Sequence, residues 1–124
     1  MSKTALILIA HGSRDPEWAA PFKKVCRVVG EKSPQLRLEL AFMELMSPGL
    51  AESADKLVGE GFERIVVLPM FLAQGGHLKE DIPQLLNEVR ERHPQTCFEL
   101  TTALGDSEDI VQAMAVHVLA LAAG

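Results

Sequence analysis

The stretch Arg64-Ile-Val-Val-Leu-Pro-Met-Phe-Leu72 decides the fold. It is apolar at successive positions rather than at alternate ones, so a strand over residues 64–70 must be covered on both faces. Strands of that kind lie in the middle of parallel sheets. The run Thr4-Ala-Leu-Ile-Leu-Ile-Ala10 reads the same way, and the two together predict a central strand pair.

Working outward, helical and extended patterns alternate, as in successive βα units. Trp18, Phe22, Val25, Cys26 and Val29 recur at spacings of three and four, predicting a helix between residues 15 and 32. It starts either at Pro16 behind Asp15 or only near Pro21. Residues 36–45 alternate, with Leu36, Leu38, Leu40 and Phe42 opposite Arg37 and Glu39, the pattern of an edge strand with one partly wet face. Ser47 then reads as the cap of a second helix with Pro48 in its first turn, ending near Gly59–Gly61. A third helix carries Leu85, Leu86 and Val89 inward and stops at His93-Pro94, with Pro83 beginning it or kinking its first turns and Asp81 as its cap. A fourth strand spans 96–102, and Gly105-Asp106-Ser107 opens a last helix running to about residue 122.

Four βα units with right-handed crossovers give a four-stranded parallel sheet of order 2-1-3-4, with helices on both faces. This is a single α/β domain over 1–124, a flavodoxin-like half-sheet. The last helix leaves almost no polar face beyond Gln112 and His117. One side is expected to meet the sheet and the other a second copy of the chain, giving a two-fold homodimer with His117 in its core or interface.

Composition narrows the function. The chain of 124 residues has a formal net charge of -5 and no cluster of Lys and Arg, which argues against a nucleic-acid partner. The amino-terminal apolar run is far shorter than the ~20 residues of a membrane span and lacks the pattern of a secretory leader. We therefore expect a cytoplasmic protein with no membrane partner. Cys26 and Cys97 have no CxxC spacing, and both read as buried small hydrophobes without chemistry.

The candidate site follows from spacing. His11, Glu44 and His77 are each separated by 33 residues, one βα repeat, so all three fall at the carboxyl ends of strands one to three. Ligands bind at that level, and at the switch point between strands one and three, in open parallel sheets. Two imidazoles and a carboxylate suit a first-row divalent metal such as Co²⁺, Fe²⁺, Ni²⁺ or Zn²⁺. The loops around them suit an anion. His11-Gly-Ser-Arg14 offers Ser13 and Arg14, and Gln74-Gly-Gly76 offers the backbone N–H groups of Gly75 and Gly76 with Lys79 close by. There is no Walker A, GxGxxG or GxSxG sequence, so neither nucleotide binding nor a serine hydrolase has support. A metal-binding protein without turnover fits the same residues. So does a phosphoryl-transfer enzyme with His11 as nucleophile.

The motifs Leu-Ile-Ala-His-Gly-Ser-Arg-Asp (8–15), Ala-Phe-Met-Glu-Leu (41–45) with Ser47-Pro48, and Leu-Pro-Met-Phe-Leu-Ala-Gln-Gly-Gly-His-Leu-Lys-Glu-Asp-Ile-Pro (68–83) resemble the short, single-domain CbiX-type class II sirohydrochlorin chelatases. The resemblance runs through essentially the whole chain. It implies ATP-independent insertion of a divalent metal, Co²⁺ first and Fe²⁺ or Ni²⁺ as alternatives, into sirohydrochlorin for cobalamin or sirohaem synthesis. It also implies a homodimer. The metal is then a substrate, and no permanent cofactor is expected; the alternative is a protein that binds the metal or the tetrapyrrole without turnover. By motif, His11 and His77 carry over as metal-binding and catalytic histidines, and Glu44 as the third group. Ser13, Arg14, Ser47, Gly75, Gly76 and Lys79 are the candidates to hold the polycarboxylate macrocycle.

Overall fold

The computed structural model describes residues 3–73 and 75–123, and of residues 76–78 the backbone alone. Four strands, β1 (Thr4–Ala10), β2 (Arg37–Phe42), β3 (Arg64–Pro69) and β4 (Cys97–Leu100), alternate with helices α1 (Ala20–Lys32), α2 (Leu50–Gly59), α3 (Gly76–Arg92) and α4 (Glu108–Ala123). All strand pairs are parallel, in the order β2-β1-β3-β4. The expected sheet is the observed one, and β1 and β3 are its centre.

The two faces of the sheet are treated differently. On one, Ile7, Ala41, Ile65, Val67 and Phe98 pack under Leu50, Ala54 and Leu57 of α2 and Leu86 and Val89 of α3. On the other, α1 and the 3-10 turn before it bring Trp18, Ala19 and Phe22 against Ala10, Leu40 and Phe42. Arginine pairs brace both edges. Arg37 grips Glu60 through Nε and Nη2 at 2.9 and 3.0 Å and reaches Glu39 at 2.8 Å. Arg64 of β3 holds Glu99 of β4 at 2.9 and 2.8 Å.

Several boundaries differ from expectation for local reasons. Both suggested starts of the first helix are used. Asp15 caps a 3-10 turn, Pro16–Ala19, through the Glu17 N–H, and α1 proper begins at Ala20. Ser47 caps nothing. The Phe42 N–H donates to the Pro48 carbonyl at 2.9 Å, so residues 43–48 loop back as a bend beside the end of β2 and Gly49 becomes the cap of α2. The regular part of β2 ends at Phe42, although the Met43 and Glu44 N–H groups still donate to the carbonyls of Ala10 and His11. β4 is shorter than predicted, covering Cys97–Leu100. α3 starts at Gly76 behind Gly75, so Asp81 and Pro83 lie inside it and neither starts it. Cys97 is exposed and Cys26 half-buried, so neither is the buried residue expected.

The largest departure is α4. Instead of lying on the sheet it stands clear of it, and none of its residues is buried. The face it was expected to cover stays open beside α1.

Candidate functional site

The end of β1 and the loop after β2 are joined by the hydrogen bond from the Glu44 N–H to the His11 carbonyl, 3.2 Å. That pairing is possible because Gly12, at φ +103, has no side chain to strike the Glu44 carbonyl. Their side chains consequently meet, His11 Nε2 lying 3.5 Å from Glu44 Oε1. Both are about half exposed, at 48% and 59%, so a ligand has open access. The residue after Glu44, Leu45, is held at φ 68, a conformation costly for a leucine. Backbone strain of this kind concentrates at functional sites.

The pair opens onto a cleft of about 260 Å³ lined by His11, Met43, Glu44, Asp81, Gln84, Leu85 and Glu88. One wall is therefore the strand ends and the other is α3. The polar residues of that wall, 81, 84 and 88, recur at helical spacing, and position 77 precedes Asp81 by one turn. The helix thus puts position 77 in line with the cleft wall, while the His77 side chain lies outside the described residues. Among the described residues no three His, Cys, Asp or Glu side chains assemble into a metal cage. His11 and Glu44 are the two ligand-type groups brought together from the predicted three.

The predicted anion-binding groups are placed as follows. Ser13 is half-buried, and its hydroxyl accepts the Asp15 N–H at 3.1 Å, closing the loop after His11. Arg14, Ser47 and Lys79 are exposed. Gly75 caps α3, and Gly76 is its first residue rather than part of the preceding loop; Gln74 lies outside the described residues. Asp81, Gln84 and Glu88 were not foreseen as cleft residues. The signal for them was the i, i+4, i+7, i+11 series that begins at His77.

A parallel half-sheet with ligand-type residues at its carboxyl edge defines a chelatase-like α/β protein, and sequence comparison makes the assignment specific. A sequence model of the CbiX family matches residues 5–120, and this chain belongs to the CbiX family. It is 38% identical over 90 residues to the sirohydrochlorin cobaltochelatase of Methanococcus aeolicus, a match covering 72% of this chain and 63% of that protein. The sirohydrochlorin cobaltochelatase of Saccharolobus solfataricus is 32% identical over 119 residues, covering 91% of each. The crystal structure of a CbiX protein from Marinobacter aquaeolei VT8 superposes with a TM-score of 0.79 at 30% identity over 93% of both chains. The chain thus spans less than two thirds of the Methanococcus relative and nearly all of the Saccharolobus one.

Proposed function

We propose that this protein is a sirohydrochlorin metallochelatase that inserts Co²⁺, with Fe²⁺ or Ni²⁺ as alternatives, without ATP, as a cytoplasmic homodimer of a one-domain chain. The observation that carries the reading is the His11–Glu44 pair, 3.5 Å apart at the open cleft of a CbiX-family sheet. The cobaltochelatase names of the relatives favour cobalt. No described helix is long and apolar enough to cross a membrane.

Insertion requires a dehydrating metal to be held while two pyrrole nitrogens lose protons. A neutral imidazole at His11 can hold the metal or accept a proton, and Glu44 offsets metal charge beside it. His77, in register with the cleft wall, is assigned as the second imidazole. The carboxylates of Asp81 and Glu88 favour a dication and repel an anionic macrocycle, so this wall serves the metal side. Ser13, Arg14, Ser47, Lys79 and the N–H groups at Gly75 and Gly76 are left to hold the carboxylates of the ring. The metal is a substrate in this scheme, and the scheme requires no resident cofactor, nucleic acid or membrane.

The test is anaerobic insertion followed by the visible spectrum of sirohydrochlorin with each metal, comparing wild type, His11→Ala, His77→Ala and no protein. Wild type should accelerate insertion, and each alanine variant should lose about 100-fold or more of that acceleration while remaining folded. Undiminished turnover in His11→Ala would overturn the assignment. Tight binding without acceleration by wild type would make the protein a carrier.

A further inference from the structure

Among the described residues, large hydrophobic side chains are exposed along α4, at Val25 of α1, and at Leu45 and Leu72. The last two are 56 and 64% exposed. Both stand at the carboxyl edge of the sheet, Leu45 three residues past β2 and Leu72 three residues past β3. The strand order β2-β1-β3 puts His11, the residue after β1, between them. The two leucine backbones are thus about two strand spacings apart, roughly 10 Å, with His11 in the middle.

Neither leucine is exposed because its backbone is loose. The bend 43–48 is pinned by the Phe42 N–H on the Pro48 carbonyl and the Glu44 N–H on the His11 carbonyl. Within it Met43 packs against the core on the α3 side, and Met46 packs against Ala10, Ala19 and Phe42. Leu45, between these anchors, takes φ 68, the left-handed region that glycine and asparagine tolerate and leucine does not. Its place costs backbone energy and gains little burial. Leu72 is equally fixed. The Gly105 N–H donates to the Phe71 carbonyl at 2.9 Å, and a Cβ on Gly105 would lie 1.7 Å from the Leu72 carbonyl oxygen. The folded chain alone gives no reason for a large apolar side chain at either position.

Two firmly held apolar side chains on either side of a metal-type group call for a ligand with a broad apolar surface. A hydrated dication gains nothing from a leucine, and neither does a phosphate group. A conjugated macrocycle has such a surface on each face and keeps its carboxylates at the rim. We propose that Leu45 and Leu72 are the apolar rests on which one face of the macrocycle lies, its plane held across His11 and its central nitrogens beside the metal. The strain at Leu45 then keeps a side chain where the bound ring needs it. This inference rests on the chelatase reading and adds to it the two residues that select a flat apolar ligand.

The experiment titrates sirohydrochlorin, without metal, into the full chain and follows quenching of its single tryptophan. Leu45→Asn and Leu72→Asn should each weaken binding about 10-fold and the double variant about 100-fold, while Leu45→Met stays within about 2-fold of wild type. In insertion assays the KM for the macrocycle should rise by the same factors and the KM for Co²⁺ should not move. Leu45→Asn should unfold at an equal or higher urea concentration, because asparagine accepts the left-handed backbone. Light scattering should give all variants the mass of wild type. Asparagine variants that bind as tightly as wild type overturn the inference and leave the chelatase reading standing; a wild type that binds no sirohydrochlorin overturns both. A lower urea midpoint for Leu45→Asn would make that leucine a structural residue, and a changed mass would place the leucines against another chain. Either result overturns the inference.

Discussion

A β-carbon placed on Gly12 would lie 1.9 Å from the carbonyl oxygen of Glu44. The two segments carrying the candidate metal groups are thus in backbone contact, and the 3.5 Å separation of His11 and Glu44 side chains follows from it. Gly12→Ala must both leave φ +103 and push the Glu44 segment away. We expect a loss of about 2–4 kcal/mol of stability and insertion reduced beyond what unfolding explains. Urea unfolding beside insertion rates at a temperature where the variant is folded would check this. Wild-type values in both would show that the contact does not position the pair.

The cleft wall on α3 predicts a graded effect on metal use. Asp81 and Glu88 line the cleft, while Glu91 is exposed on the same helix and does not. Asp81→Asn and Glu88→Gln should change stability by no more than about 0.5 kcal/mol, yet raise the apparent KM for metal by about 10-fold or more. Glu91→Gln should behave as wild type. Metal titrations at fixed macrocycle concentration measure the difference, and equal curves for all three would remove the wall from the mechanism.

Acid should loosen the braced edges of the sheet. The Arg37 guanidinium holds the Glu60 carboxyl below its ordinary range, and Arg64 does the same for Glu99. The native state then binds fewer protons than the unfolded one. The resulting stability is present above the ordinary carboxylate range and is lost as pH falls through the lowered values. Both glutamates are at the surface, so the amplitude is small. Midpoints of urea unfolding should fall from about pH 5 to pH 3, and fall less steeply in Glu60→Gln/Glu99→Gln. Parallel slopes would show that these pairs contribute nothing.

Much of this architecture was legible in advance because period and spacing are direct records of burial. Unbroken apolar runs placed β1 and β3 inside, and the alternation of residues 36–42 placed β2 at an edge. The 33-residue interval put His11 and Glu44 at one level, where the structure brings them together. Ser47-Pro48 misled because a helix start and a bend use the same residues, and the bond from Phe42 to Pro48 chose the bend. Pro83 drew the expected start of α3 downstream and turned Asp81 into a cap, hiding the cleft series that follows position 77. For α4, the apolar pattern recorded correctly that the helix needs cover. A linear pattern carries no record of whose surface supplies it, and the chain's own sheet does not.

Trp18 is the one tryptophan in a chain without tyrosine. Its backbone N–H donates to the Asp15 carbonyl at 3.0 Å, four residues past His11, and its ring centroid lies 4.9 Å from that of Phe22 and 6.5 Å from that of Phe42, two residues before Glu44. The indole is clasped between the two segments that deliver His11 and Glu44. Excited where phenylalanine does not absorb, the whole protein emits from that one place, and the colour of its fluorescence becomes a gauge of how tightly those segments are closed.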